Sequence, residues 1–404
     1  MAQTINPLKP GEGRQSFGTA LIGAAKSNIR QYTMIAALLL IWVIFTFLTK
    51  GLFLTPRNIS ILFMQMVTTG ILTGGMLLVM VAGHIDLSVG SVCGTLGAIG
   101  AYLMSKAGVH PAIAILVTVA CGMAVGAWNG FWIAYQGVPA FIVTLASQIA
   151  FRGFTLAITN GATIGELPAG FKIIGQGYIP SFGIADGFHD LTAILCVVAI
   201  AIFLVMELRR RKKRITNGFT VLPLSLQMIK IVIVCAAIGA LGIIFASYRG
   251  IPYAILILLA VVGIYTTLTT RTPFGRHVYA IGGNKEAARL SGVDIRKTIL
   301  TVFISMGTLA GVASMVFTAR LNAATTAAGN LFELDAIAAC IIGGTSTTGG
   351  IGTVFGAIIG ALVIASLDNG MSLMNLPIMI QYIIKGVILL LAVWVDNANK
   401  KTAA

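Results

Sequence analysis

Acidic residues are the first candidates for chemistry in this chain, and only twelve Asp and Glu residues occur among its 404 positions. Those closest to apolar segments all fall at the ends of predicted helices, and they are Asp86, Glu333, Asp335 and Asp368. A proton-driven pump places ionisable groups in the middle of its membrane spans, where each is costly and is kept for function. The sequence therefore predicts no proton relay. We interpret Asp86 and Asp335 as helix-capping residues, with a transport role as the alternative.

Residue spacing does not indicate a metal, phosphate or catalytic site. The histidines His84, His110, His189 and His277 are scattered, so we predict no metal site. No glycine-rich loop leads into a Lys-Ser or Lys-Thr pair, which argues against a phosphate cradle in this chain. The five cysteines lie in apolar segments and are interpreted as small packing residues. We assign no catalytic residue and no cofactor to this chain, and expect that it is not an enzyme.

Uncharged polar side chains inside apolar segments are the remaining candidates. They are Gln65, Asn129, Thr144, Gln148 and Asn369. Such groups suit a neutral polyol, and we take these five as a candidate substrate pathway. Hydrogen bonds to neighbouring helices are the favoured alternative for each. The basic residues nearest to span interiors, Arg152 and Lys385, are given structural roles, and Lys385 is expected to snorkel to the interface or to pair with a carboxylate such as Asp368.

Long apolar runs must position all of these residues. The chain is 57% hydrophobic and 10% charged, against roughly 25% charged in a soluble domain. Apolar runs of about twenty residues, each long enough to cross a bilayer, predict an all-α, polytopic integral membrane helical bundle of about twelve transmembrane helices. The predicted spans are 31–49, 59–81, 87–105, 111–134, 140–160, 190–207, 226–247, 253–270, 298–318, 334–346, 351–367 and 378–395. The short span 334–346 and the boundary at Gly83–Asp86 could each be a re-entrant or broken helix.

Basic residues predict the orientation of these spans. With both termini cytoplasmic, nineteen Lys and Arg residues lie inside and six lie outside, as the positive-inside rule requires. Orientation therefore explains the net charge of +15, and we expect no nucleic-acid partner. We divide the chain into a cytoplasmic arm 1–30, one transmembrane domain 31–396 and a cytoplasmic tail 397–404. Glycines four residues apart, as at Gly122, Gly126 and Gly130 or at Gly307 and Gly311, predict close helix packing.

The longest polar interruption of the second half, 271–297, is predicted to lie in the cytoplasm and to contain one short helix. Asn284 can cap its N-terminus, Glu286 and Arg289 suit its two ends, and Gly292 suits a left-handed exit. A helix from Lys285 to Ser291 is too short to be stable in water by itself, so the membrane domain or a partner must hold it. We interpret it as a docking element. An ordinary connecting loop is the alternative.

Several segments are similar to one protein family over almost the whole chain. GHIDLSVGS, PAFIVTLA, FGRHVYAIGGNKEAARLSGV, ELDAIAACIIGGTS and QYIIKGVILLLAVW resemble the membrane permease subunits of bacterial ABC importers for monosaccharides, the ribose, galactose and xylose group. The ending SLDNGMSLM and the basic cluster Arg209–Arg214 are most similar to the xylose branch. Permeases that take several monosaccharides, such as glucose, galactose or arabinose, are the alternative. A sugar–proton symporter and a membrane glycosyltransferase are less favoured, because the carboxylates that each needs are missing.

The resemblance implies an inner-membrane protein that acts as a pair of copies. It also implies a cytoplasmic ATPase with two nucleotide-binding halves that binds the ATP, and a periplasmic sugar-binding protein. The fold would be a ten-helix core with an added helix pair near 190–250. The segment after span eight would insert into the ATPase, and the residues implied in that contact are Phe274, Gly275, Arg276, Asn284, Glu286, Ala287, Ala288 and Gly292.

Overall fold

The computed structural model describes residues 29–183, 187–219, 221 and 224–403, and within them the chain forms fifteen α-helices. The predicted N-terminal arm lies outside the described residues except for its last two positions. The helices of the first half are α1 (Ile29–Leu48), α2 (Pro56–Val81), α3 (Val89–Ser105), α4 (Pro111–Ala134), α5 (Ala140–Thr159), α6 (Ala169–Gln176) and α7 (Asp190–Thr216). Those of the second half are α8 (Leu224–Ala246), α9 (Tyr253–Arg271), α10 (Pro273–Gly283), α11 (Lys285–Leu290), α12 (Ile295–Leu321), α13 (Phe332–Ile342), α14 (Val354–Leu373) and α15 (Ile378–Ala403).

Each of the twelve predicted spans corresponds to one of these helices. Eight helices are long and apolar enough to cross a membrane, and shorter apolar helices lie within α1, α3 and α15. The remaining predicted span is α13, which has only eleven residues. The chain is therefore an all-α, multi-pass membrane protein, as predicted. The main difference in bounds is α7, which continues through the basic cluster to Thr216, because Arg and Lys are good helix formers.

The centre of the bundle consists of α2, α12 and α14, whose most apolar stretches are 72%, 67% and 67% buried. In contrast, those of α7 and α8 are each only 6% buried. These two helices pack on each other, and α8 also contacts α2. The predicted helix pair near 190–250 thus lies at the edge of the bundle, where most of its surface is free to meet lipid.

The bundle has two distinct ends. We call residues 272–294 the connector, and the end that carries it the connector end. There, the backbone N–H of Gly350 donates to the carbonyl of Val81, the last residue of α2, at 2.9 Å. The opposite end carries α6 and an isolated β-bridge between Ile164 and Ala324.

Glycines allow α4 and α12 to approach backbone to backbone. A Cβ atom placed on Gly307 would lie 2.1 Å from the carbonyl oxygen of Gly122, and one on Gly126 would lie 2.3 Å from the carbonyl oxygen of Phe303. Only residues without side chains fit at such separations. The packing role predicted from the four-residue spacing is confirmed at these positions.

Two connections enter the bundle instead of passing over its surface. Residues 82–88 are not helical, yet Asp86 is only 4% exposed. Asp86 lines a small cavity together with Gly126 and Gly307, and Gly307 lies about half-way along α12. On the other side, residues 322–331 leave the end of α12 and lead to α13, whose Asp335 shares a cavity wall with Thr68, half-way along α2. The helical structure is therefore broken at both places where the sequence allows a broken or re-entrant helix, at Gly83–Asp86 and before α13. As a result, α13 begins inside the bundle.

We predict that Gly307→Val destabilises the protein by about 3 kcal/mol or more, at the upper end of the cost of overpacking, because the backbone of α4 cannot move away cheaply. The matched control is Gly263→Val in α9, where no atom lies within 4 Å of an added Cβ. Thermal unfolding of both variants in detergent measures the effect. Equal unfolding midpoints would contradict the close packing of α4 and α12.

Candidate functional site

The five candidate pathway residues do not form one cluster in the bundle. Asn129 donates to the Ser88 hydroxyl at 3.1 Å and accepts from Ser147 at 2.6 Å. The Thr144 hydroxyl donates to the carbonyl of Ala140 at 2.9 Å. Asn129 is thus engaged across helices, Thr144 bonds within its own helix, and both are fully buried.

Asn369 forms a second cluster near the opposite end. Its side-chain amide exchanges hydrogen bonds with that of Asn58, with N–O distances of 2.8 and 3.1 Å. It also donates to the side-chain oxygen of Gln65 at 3.3 Å. These bonds tie α14 to α2, so the favoured structural alternative is supported for Asn369, whereas Gln65 also lines a cavity.

An ionic cluster that the sequence only partly indicates lies at the start of α13. The Lys385 ammonium group contacts Asp335 at 3.0 Å and Asp368 at 2.9 Å. The pairing of Lys385 with Asp368 is confirmed, and the second carboxylate was not foreseen. Asp335 does begin a helix, as predicted, but the helix end also leads us to expect this carboxylate away from the interior of the spans. That inference is wrong here, because α13 starts inside the bundle.

A cavity of about 450 Å³, lined by both apolar and polar side chains, opens beside α5 on the other side of the start of α13. Its polar lining comprises Ser91, Gln148, Arg152, Asn330 and Glu333. Gln148 donates to Glu333 at 2.9 Å, and Arg152 donates to the carbonyl of Ala328 at 3.1 Å. Gln148 is therefore the one candidate pathway residue in this cavity, while Arg152 supports the non-helical chain before α13, in line with the structural role expected for it.

The connector is fixed to the bundle through the far end of α10. A Cβ atom on Gly282 would lie 1.7 Å from the carbonyl oxygen of Val81 and 2.5 Å from the nitrogen of Gly350, so the three backbones are in direct contact. The Tyr279 hydroxyl donates to the carbonyl of Gly352 at 2.7 Å. At the start of α10, Phe274 packs against the core, Gly275 is buried and Arg276 is exposed.

The short helix α11 has the ends that the sequence predicts. The Asn284 side chain accepts from the backbone N–H of Ala287 at 2.9 Å, and Gly292 has a φ of 81°. The Arg289 guanidinium donates to Glu286 at 3.1 Å, and this bond lowers the pKa of Glu286 below its ordinary value. Both predicted caps are confirmed.

The two faces of α11 differ in exposure. Ala288 is 4% exposed and faces the bundle, whereas Glu286 and Ala287 are exposed. Leu290 was missed by the sequence analysis and is 75% exposed. The signal that could have found it is spacing, because Leu290 is four residues after Glu286 and lies on the same helix face. The exposed face of α11 thus carries Glu286, Ala287 and Leu290.

A multi-pass helical bundle with polar groups in its cavities and a connector held at one end fits a membrane permease. Residues 58–393 match the family described as the branched-chain amino acid transport system / permease component. The chain belongs to this permease family.

Curated relatives in the family are similar along nearly their whole length. The chain is 44% identical to the xylose transport system permease protein XylH of Escherichia coli K12, over 94% of each chain. Identity to the corresponding protein of Haemophilus influenzae is also 44%, over 93% of this chain and 98% of the relative. The ribose import permease protein RbsC of Bacillus subtilis is 31% identical over 90% and 92% of the two chains. No solved structure matches the chain.

We predict that Lys385→Met costs more stability than the loss of an exposed ion pair, and at most about 3–5 kcal/mol, because it leaves the partly buried carboxylates of Asp335 and Asp368 without their counter-charge. The triple variant Asp335→Asn, Lys385→Met, Asp368→Asn should recover most of this loss. The control is Lys230→Met, which breaks the ion pair with Glu207 at the periphery of the bundle. Because Lys230 is 45% exposed, this change should cost at most about 1 kcal/mol of stability. Unfolding in detergent measures all three, and a single variant as stable as the triple would refute the ionic role of Lys385.

Proposed function

We propose that this chain is the transmembrane subunit of an ATP-driven importer that carries a monosaccharide, with D-xylose as the first candidate, across the inner membrane of a bacterium. The observation that carries the proposal is the 44% identity to xylose transport permeases over 94% of each chain. The polar groups that line the two cavities beside α13 support it, because amides and hydroxyls can exchange hydrogen bonds with the hydroxyl groups of a neutral polyol.

In this proposal the chain does not hydrolyse ATP. The ATP is bound by a cytoplasmic ABC ATPase with two nucleotide-binding halves, which docks at the connector end. A periplasmic sugar-binding protein delivers the sugar at the opposite end, and both termini are cytoplasmic. Lipid surrounds the rest of the bundle, including α7 and α8.

The connector is suited to pass movement from the ATPase to the membrane domain. The exposed face of α11 offers Leu290 as an apolar anchor with Glu286 beside it. Behind it, α10 is held by backbone contacts to Val81 and Gly350. The segment 343–353 that contains Gly350 joins α13 to α14. A displacement of α11 is thereby transmitted to the two helices that carry Asp335 and Asp368.

A second copy of this chain is proposed to cover the open side of α5. Arg152 and Gln148 are only partly buried there, on the rim of the 450 Å³ cavity. A charged side chain in such a position is too costly to face lipid. A partner copy against α5 would enclose the polar rim, and the apolar side chains around it, Phe141, Ile149 and Phe154, would pack on their counterparts.

Reconstituted uptake tests the proposed function. Permease, ATPase and binding protein are incorporated in vesicles with an ATP supply, and uptake of labelled D-xylose is followed. We expect uptake to require ATP and to persist when a protonophore collapses the proton gradient. Loss of uptake with the protonophore, while ATP stays high, would instead indicate a proton-coupled carrier.

The docking role of α11 has its own test. Leu290→Asp removes an apolar side chain whose burial contributes about 1.5–3 kcal/mol, so ATPase binding should fall roughly tenfold or more. Glu286→Lys should weaken it by reversing a charge at the helix start, and Gly292→Val by straining a position with a φ of 81°. The control is Lys106→Glu, an exposed charge reversal at the opposite end.

Co-purification of the ATPase with each variant, followed by measurement of hydrolysis stimulated by the sugar-loaded binding protein, gives the result. All variants should insert and fold, since the changed residues are exposed. If Leu290→Asp and Glu286→Lys both keep the ATPase and its stimulation, α11 is a connecting loop.

A further inference from the structure

A cavity of about 160 Å³ lies between α2, α12, α13 and α14, on the side of α13 away from α5. It reaches from Arg320 and Ser372, each the next-to-last residue of its helix at the opposite end, to Thr68 in the middle of α2. Gln65, Thr69, Asp335 and Asp368 complete its polar lining. The volume holds roughly five water molecules or one small sugar ring.

Unsatisfied polar atoms are concentrated in the wall of this cavity. Among the described residues, eight buried side-chain atoms have no hydrogen-bond partner, and three of them belong to residues that line it: Thr68 Oγ1, Arg320 Nε and Asp368 Oδ1. Thr68 itself is only 3% exposed. A buried polar atom without a partner is unfavourable, and more so when it is charged, because it has lost its bonds to water. Such a grouping indicates a place where a polar ligand supplies the missing hydrogen bonds.

The chemistry of the wall favours a neutral ligand. Asp335 and Asp368 carry two negative charges, which Lys385 and Arg320 balance, so an ion would leave an excess charge inside the bundle. The unpartnered atoms include a guanidinium donor, a carboxylate acceptor and a hydroxyl that can do both. This combination suits a molecule with several adjacent hydroxyl groups, each of which donates and accepts.

Two aromatic rings add an apolar surface to the same wall. Phe317 and Phe332 are packed edge to face with their centroids 5.0 Å apart. The Arg320 guanidinium lies 5.5 Å from the Phe317 ring centroid, which fixes its orientation. A pocket of apolar surface with a few fixed polar groups is the general form of a small-molecule site, and the C–H face of a sugar ring matches the aromatic part.

We propose that this cavity is a binding site within one subunit for the transported monosaccharide, the first site reached from the opposite end of the bundle. The inference rests on the proposed function and names residues for it. Thr68, Arg320 and Asp368 hydrogen-bond to the sugar hydroxyl groups. Lys385, which also contacts Asp335, holds the Asp368 carboxylate in place.

Cysteine protection tests the site directly. In the assembled importer, Thr68→Cys should react with a small neutral reagent, methyl methanethiosulfonate, and millimolar D-xylose should slow the reaction several-fold. The control is Ser60→Cys, on the same helix, buried and unpartnered but outside the cavity, which should not react. Absence of labelling of the Thr68→Cys variant, or labelling at the same rate with and without sugar, would overturn the site, since the cavity would then be closed or hold water only.

A second variant keeps the proposal testable if Thr68→Cys does not fold. Arg320→Met removes the guanidinium donor but keeps most of the side-chain length. This variant should transport about tenfold fewer sugar molecules per ATP, while ATP hydrolysis stimulated by the binding protein should remain. Arg249→Met, at the same end and stacked on Tyr178 and Tyr248, should leave this ratio unchanged. An unchanged ratio for Arg320→Met would overturn the site, whereas wild-type protein that neither transports nor stimulates hydrolysis would instead refute the proposed function.

Discussion

The structure depends on one constraint: a non-helical backbone inside a membrane bundle must find its hydrogen bonds within the protein, since lipid offers none. Residues 322–331 meet it with local turns and with the paired bonds of 2.9 Å between Ile164 and Ala324. The Arg152 guanidinium satisfies the carbonyl of Ala328. Arg152 on α5 and the β-bridge between Ile164 and Ala324 therefore serve the same purpose. Both satisfy the backbone of the segment that lets α13 begin inside the bundle.

An interior helix start also determines where the charges lie. The exposed N–H groups of a helix N-terminus attract negative charge, and α13 carries Glu333 and Asp335 in its first turn. These side chains point to different sides of the helix, Glu333 to the cavity beside α5 and Asp335 to the cavity beside α2. Lys385 then neutralises Asp335 and Asp368 together. The N-terminus of α13 thus places a carboxylate in each of the two cavities. Lys385 in α15 supplies the positive charge that balances the carboxylates beside α2.

The far end of α13 brings this interior site into contact with the connector. Eleven residues of helix span about 16 Å, and the chain then enters segment 343–353, which packs on α10. The contacts there are between backbones, at Gly282, Val81 and Gly350, and close-packed backbone contacts leave little room for independent movement. The cavities at the start of α13 are therefore linked to α11 by direct contacts through α13, segment 343–353 and α10. The peripheral helices α7 and α8 take no part in this link.

The sequence by itself determined the features that arise within one segment. Apolar runs placed a helix at each of the twelve predicted spans, but α13, with eleven residues, is too short to cross the membrane. Asn284 and Gly292 marked the ends of α11, because caps and left-handed exits depend on neighbouring residues only. Tertiary structure alone decided how deep each helix end lies. Both the sequence and the structure place Asp335 at the start of a helix. Only the tertiary structure shows that this helix starts inside the bundle and that Lys385 contacts both Asp335 and Asp368. The same holds for Asn129 and Gln148, which look alike in sequence. Asn129 bonds to Ser88 and Ser147 at the small cavity that contains Asp86, whereas Gln148 bonds to Glu333 at the larger cavity beside α5. The sequence does not show this difference, because the neighbours of a polar side chain come from helices far away in the chain.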